Sequence, residues 1–115
     1  MRPIIVTVGP GATTPAGSSL IRLDTWAGGN ASVQCTVSGT ANYTVQTSND
    51  DPNDPVNPVA VGSMTWLPSP DTNVVAATVS EASSFTVIPV FCRVLLNSGT
   101  GSVTMTVAQS GVVPY

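Results

Sequence analysis

The chain has 115 residues, 42% of them hydrophobic, and a net charge of −3, which fits one domain (residues 1–115) and argues against disorder. Charge is scarce: Arg2, Arg22 and Arg93 stand against Asp24, Asp50, Asp51, Asp54, Asp71 and Glu81, with no Lys and no His. Phosphate recognition needs clustered cations, so no nucleic acid and no membrane surface is expected as a partner.

Composition points to strands. Val occurs 18 times and Thr 15 times, against five Leu and four Ile, while Gly and Pro supply ten residues each. Val and Thr sit well on a pleated surface, and frequent Gly and Pro cut the chain into short segments. Arg2–Val8 reads as a first strand closed by Gly9-Pro10-Gly11. Ala12–Ser18 is a polar connection. Ser19–Trp26 reads as a second strand with Leu20, Ile21 and Leu23, ended by a turn at Gly28-Gly29-Asn30.

Ala31–Ser38 alternates, with Val33, Cys35 and Val37 on one face and Ser32, Gln34 and Thr36 on the other. After Gly39-Thr40, Asn42–Thr47 alternates again, and the pair is expected to form a hairpin. Ser48–Pro58 holds three Pro and three Asp and must be a loop. Short strands are expected within Val59–Leu67 and Val74–Val79, and another from Phe85 to Ile88, interrupted by Pro89. In Val90–Leu96, Val90, Cys92, Val94 and Leu96 share one face, and Phe91, Arg93 and Leu95 share the other. Both faces are largely apolar, so this strand is covered on both sides or meets a partner. Asn97–Gly101 turns into Ser102–Ala108, where Val103, Met105 and Val107 face inward, and a second hairpin is expected. About seven or eight strands fit an all-β, antiparallel two-sheet β-sandwich of jelly-roll or immunoglobulin-like type.

Chemistry is hard to place on this sequence. Without His or Lys there is no usual base for a nucleophile. Two distant Cys make a poor zinc site. No Gly-rich motif sits between a strand and a helix. The chain reads as a non-enzyme without a cofactor. Asp50, Asp51 and Asp54, with Asn53, are the sole candidate metal ligands, for Ca²⁺ through oxygen; the plainer reading is that they bond their own backbone in turns. Trp66 reads as a core plug or, alternatively, as a platform for a sugar or partner. Arg93 is an exposed outer-face residue or half of an ion pair across a subunit interface. Trp66, Phe91, Arg93 and Leu95 are the interface candidates. The opening MRPIIVTVGPG lacks the long apolar region of a secretory signal, and no apolar run could span a membrane. A reducing cytoplasm is therefore expected, with Cys35 and Cys92 as buried thiols.

The sequence resembles the short β-rich virion proteins of tailed bacteriophages, of the head-decoration or cement class. The likeness lies in MRPIIVTV, in NYTVQTSNDDP (Asn42–Pro52), in Trp66 after a Pro-rich loop, and in VFCRVLLNSGTGSVTMTVAQSG (Val90–Gly111). It implies a β-sandwich assembled in many copies on a particle, often as trimers, bound to the major capsid protein or another virion protein, and made in the host cytoplasm. It carries no catalytic residues to transfer, and Cys35 and Cys92 are not part of it. A rival reading is a carbohydrate- or receptor-binding module of a phage fibre or tail, using Trp66, Tyr43 and the Asp50–Asp54 loop. Another is a secreted immunoglobulin-like adhesion domain with a Cys35–Cys92 disulfide.

Overall fold

The computed structural model describes residues 3–11, 13, 15–23, 25 and 30–109. Among these, nine strands form two antiparallel sheets packed face to face, as expected for a β-sandwich. Sheet I has the order β1 (Ile4–Val8), β9 (Ser102–Gln109), β4 (Ala31–Ser38), β7 (Glu81–Phe85). In sheet II, β8 (Phe91–Ser98) pairs on one side with β2 (Ala16–Gly17) and β3 (Ile21–Arg22), and on the other with β5 (Asn42–Ser48), which β6 (Leu67–Pro68) edges.

The alternation read from the sequence is what makes the core. Ala31, Val33 and Cys35 of β4 and Val103, Met105 and Val107 of β9 are buried against Tyr43 and Val45 of β5 and Cys92, Val94 and Leu96 of β8. Ser32, Gln34 and Thr36 face outward. A buried Val or Leu side chain contributes roughly 1.5–3 kcal/mol, so these few strands carry much of the fold.

Neither expected hairpin forms. β4 lies in sheet I and β5 in sheet II; β8 lies in sheet II and β9 in sheet I. The actual partners are distant in the chain, β4 with β9 and β5 with β8. Together they make one long two-stranded ribbon that folds over on itself. Ser38 is opposite Ser102 before the fold and Asn42 opposite Ser98 after it, so the register passes through the corner unchanged. Just beyond, Tyr43 pairs Leu96, leaving Asn97 as a bulge residue; its Nδ2 donates to Asn42 Oδ1 (3.0 Å) and Thr44 Oγ1 (2.9 Å). Alternation cannot separate a hairpin from an arch, because inward residues meet one core in both. The glycines explain the arch: Gly39 and Gly99 have φ of +78° and +107°, and Gly101 N donates to Thr40 O (2.8 Å), locking one turn onto the other.

Other expectations are also corrected. The segment expected as one strand from Ser19 to Trp26 contributes only Ile21–Arg22 to the ladder, while Ala16–Gly17, expected as loop, forms its own short strand. Between them Ser18 Oγ accepts from Val94 N (3.0 Å), so a side chain replaces a ladder carbonyl. Leu23 is buried; Trp26 and the Gly28-Gly29 turn lie outside the described residues. Val59–Leu67 holds a 3-10 turn at Val61–Ser63, and its ladder is confined to Leu67–Pro68. Val74–Val79 is not a strand: Asp71 caps a 3-10 turn at Thr72–Val74, and Ala76 at φ 51° leaves a single bridge, Tyr43 to Ala77. The strand expected at Phe85–Ile88 ends at Phe85 and begins earlier, at Glu81.

Candidate functional site

The outer face of sheet II gathers the residues singled out from sequence. Phe91, Arg93 and Leu95 alternate outward from β8, a strand buried on its inner face by Cys92, Val94 and Leu96. The long loop of residues 49–66, joining β5 to β6, lies against this face and is tied to it through two arginines. Loops longer than about 12–15 residues are uncommon in compact domains and are usually functional when ordered.

The first tie is Arg22 with Asp51. Arg22 Nη1 and Nη2 donate to the two Asp51 oxygens at 3.1 and 2.9 Å, and the guanidinium lies 5.2 Å from the Phe91 ring centre. The second is Arg93 with Trp66: the guanidinium stacks over the indole at 4.3 Å, while Arg93 Nε donates to Gln46 Oε1 at 2.8 Å. Trp66 is thus not a core plug; it lies half-buried on the outside of the sandwich. A core site was refused it because the inner faces are already filled by Val, Met, Cys, Leu and Tyr side chains with almost no exposure.

The aspartates of the loop are consumed by its own structure. Asp50 Oδ2 accepts from Thr65 N (2.6 Å), Asp51 Oδ1 from Asn53 N (2.9 Å), and Asp54 Oδ1 from Val56 N (2.8 Å) and Asn57 N (3.0 Å). Val59 N donates back to Asp51 O (3.1 Å), closing residues 51–59 into a lobe stiffened by Pro52, Pro55 and Pro58. The Arg22 guanidinium, then the Asn53 amide, hold the Asp51 carboxyl below the usual carboxylate range; the Asn57 and Val56 amides do the same for Asp54. The plainer reading as turn-makers accounts for Asp51 and Asp54, whereas Asp50 reaches across the loop to Thr65 N; no group of three or more metal-ligating side chains occurs among the described residues. At the tip of the lobe Val56 is 79% exposed.

Cys35 and Cys92 are buried free thiols. Burial pushes Cys35 up to about 11 and Cys92 up to about 12, far from the lowered values of reactive thiols. Burial likewise pushes the Tyr43 hydroxyl up, and it donates to Val79 O at 2.8 Å. A hollow of about 340 Å³ opens on the sheet I side between Asn30, Ser32, Ser84 and Ala108, and one of about 130 Å³ beside Thr47, Pro70, Phe85 and Pro89; neither is lined by a titratable side chain.

The sequence reading found Trp66, Phe91, Arg93 and Leu95, and the structure brings them to one face. It missed Gln46 and Gly17 beside Arg93, and the use of the acidic loop, through Arg22 and Asp51, as a clasp. One signal was available: in a chain with three Arg, an acidic loop is the natural counter-charge for one of them.

Compared with family models, curated proteins and solved structures, the chain shows no match in any of the three.

Proposed function

We propose that this protein is a non-enzymatic structural module of a phage virion that docks on the capsid as a decoration or cement protein, through the outer face of sheet II and the loop that lies on it. The observation that carries the reading is the β8 outer face, where half-buried Arg93 and Leu95 alternate outward, half-buried Trp66 stacks on Arg93 just before exposed Leu67 in the chain, and Phe91 is buried beside Arg22. Aromatic and Arg side chains are the residue types enriched where interfaces concentrate their energy. The braced 51–59 lobe supports the same use, since a loop already held in one shape loses less entropy on binding. A protein that binds the assembled shell preferentially stabilises it by mass action.

The glycan-binding alternative draws on Trp66 lying outside the core. It is the weaker of the two, because Arg93 occupies one face of the indole where a sugar ring would stack. The docking reading is tested by measuring the solution mass of the purified protein and its co-sedimentation with undecorated shells. A trimer that binds shells supports it; a strict monomer that ignores shells ends it. Glycan-array binding abolished by Trp66→Ala would favour the alternative.

A further inference from the structure

We infer that Arg93 is the receiving group for a carboxylate on the partner protein, an Asp or Glu side chain laid edge-on against its two Nη atoms. This rests on the docking reading above and names the chemistry of that contact. A guanidinium offers five donors in a planar fork. Here the fork is fixed by two contacts, and among the described residues nothing else bonds its outer edge: the plane is stacked on Trp66 at 4.3 Å, and Nε is committed to Gln46 Oε1 at 2.8 Å. Among the described residues no carboxylate lies within ion-pair distance of Arg93, whereas Arg22 has Asp51.

The neighbouring strand accommodates the guanidinium. Gly17 of β2 is exposed, and a Cβ there would stand 3.1 Å from Arg93 Nη1. With hydrogen in its place, the Arg93 side chain lies close against the β2 backbone without a clash, which helps to hold the fork in position. A guanidinium drawn partly from water without a counter-charge carries a standing electrostatic cost, and burial alone lowers its pKa. A planar two-oxygen anion matches the Nη pair and relieves that cost. The rest of the face supplies the surroundings such a contact needs, with Phe91 and Leu95 on the same strand to exclude water.

Two measurements test this. In the first, the Arg93 Nε–H signal is followed by NMR while the protein is titrated with poly-L-glutamate, or with a neutral hydroxyethyl-glutamine polymer of equal length. A saturable shift with the acidic polymer alone, abolished in Arg93→Gln and weakened about 10- to 100-fold in Arg93→Lys, is expected, because Lys keeps the charge but not the fork. No shift, or a shift with polygalacturonate and not with polyglutamate, overturns the inference, the latter in favour of an acidic glycan. In the second, wild type, Arg93→Gln and Arg93→Lys are compared for binding to undecorated shells. Loss in Arg93→Gln supports the inference. Equal binding by wild type and Arg93→Gln overturns it while the docking reading stands. Arg93-dependent polyglutamate binding without shell binding supports it while the capsid reading falls. Melting curves establish that each variant is folded; if Arg93→Gln is not, Arg93→Lys decides.

Discussion

The corner where the ribbon folds from one sheet to the other makes the sharpest stability prediction, through four Gly→Ala substitutions. At Gly101 an added Cβ would collide with Ser38 O and stand 2.7 Å from Thr40 N and 2.9 Å from Gly39 C, all backbone atoms that cannot swing away. At Gly99 it would collide with Thr40 O and stand 2.9 Å from Ala41 Cα, and φ is +107°. Overpacking costs about 1–3 kcal/mol and a strained backbone about another 1–3 kcal/mol. Gly99→Ala should therefore lose about 2–6 kcal/mol and Gly101→Ala about 1–3 kcal/mol or somewhat more. Gly11 has φ +78° but no heavy atom within 4 Å of a Cβ, so it isolates the backbone term, about 1–2 kcal/mol. Gly62 has neither constraint and should gain about 0.4–1 kcal/mol through the unfolded chain. Urea denaturation with a common slope reads all four; at this chain length 1 kcal/mol moves the melting temperature by about 4 °C. If Gly99→Ala and Gly101→Ala denature within about 0.5 kcal/mol of Gly62→Ala, the two turns are not locked together and the account of the arch is wrong.

Other outcomes follow from the same packing. Asp51, Asp54 and Asp71 are held below their unfolded value of about 3.9, so the stability they supply is full above about pH 5 and drains as pH falls through 4 and below. With no His in the chain, melting temperatures should be flat from about pH 5 to 8. At the alkaline end the raised thiols reverse the sense: their contribution is full below the unfolded value of about 8.5 and is lost as pH climbs through 11 and 12, which a pH series of melts will show. Cys35 and Cys92 should resist a thiol reagent in the native protein and both react once guanidinium is added; rapid native reaction of either would contradict their burial. Met105→Ala, at the centre of sheet I with no exposed surface, should cost about 2–5 kcal/mol by chemical denaturation. Asp51→Asn should leave the global melt nearly unchanged yet speed amide exchange at Val59, whose N–H is held by Asp51 O.

Strand identity was legible where alternation was long and uninterrupted. The segments around Val33–Cys35, Tyr43–Val45, Cys92–Leu96 and Val103–Val107 all lie where the pattern put them, with the faces it assigned. Pairing was not legible, because an alternating strand records which side is buried and not which neighbour supplies its hydrogen bonds. Short elements failed for a different reason. Ala16–Gly17 and Leu67–Pro68 are strands only because β8 and β5 offer a free edge, and Val74–Val79 is broken by Ala76 despite its β-branched residues. Tertiary context overrides propensity in each case. The face holding Trp66, Phe91, Arg93 and Leu95 could be read from two-sided apolar character; the role of Gln46 and Gly17 could not, since both depend on the β5–β8 and β2–β8 registers.

The distribution of charge gives the two outer surfaces different characters. On sheet I the outward positions of β4, β7 and β9 are Ser32, Gln34, Thr36, Ser38, Ala82, Ser84, Ser102, Thr104, Thr106 and Ala108, small or neutral without exception. On sheet II the outer face and its loop hold Arg22, Arg93, Asp50, Asp51 and Asp54. A chain with nine charged residues has thus gathered five of them at one side, and has spent Arg22 and Asp51 in holding a loop to a sheet. An exposed ion pair of that kind adds little to stability, because water and salt screen it. Its effect is geometric: it fixes the loop over Phe91 while Trp66 fixes the orientation of Arg93. Rigid aromatic and guanidinium groups held in place before binding give up little freedom when a partner arrives, and that favours recognition more than it favours folding.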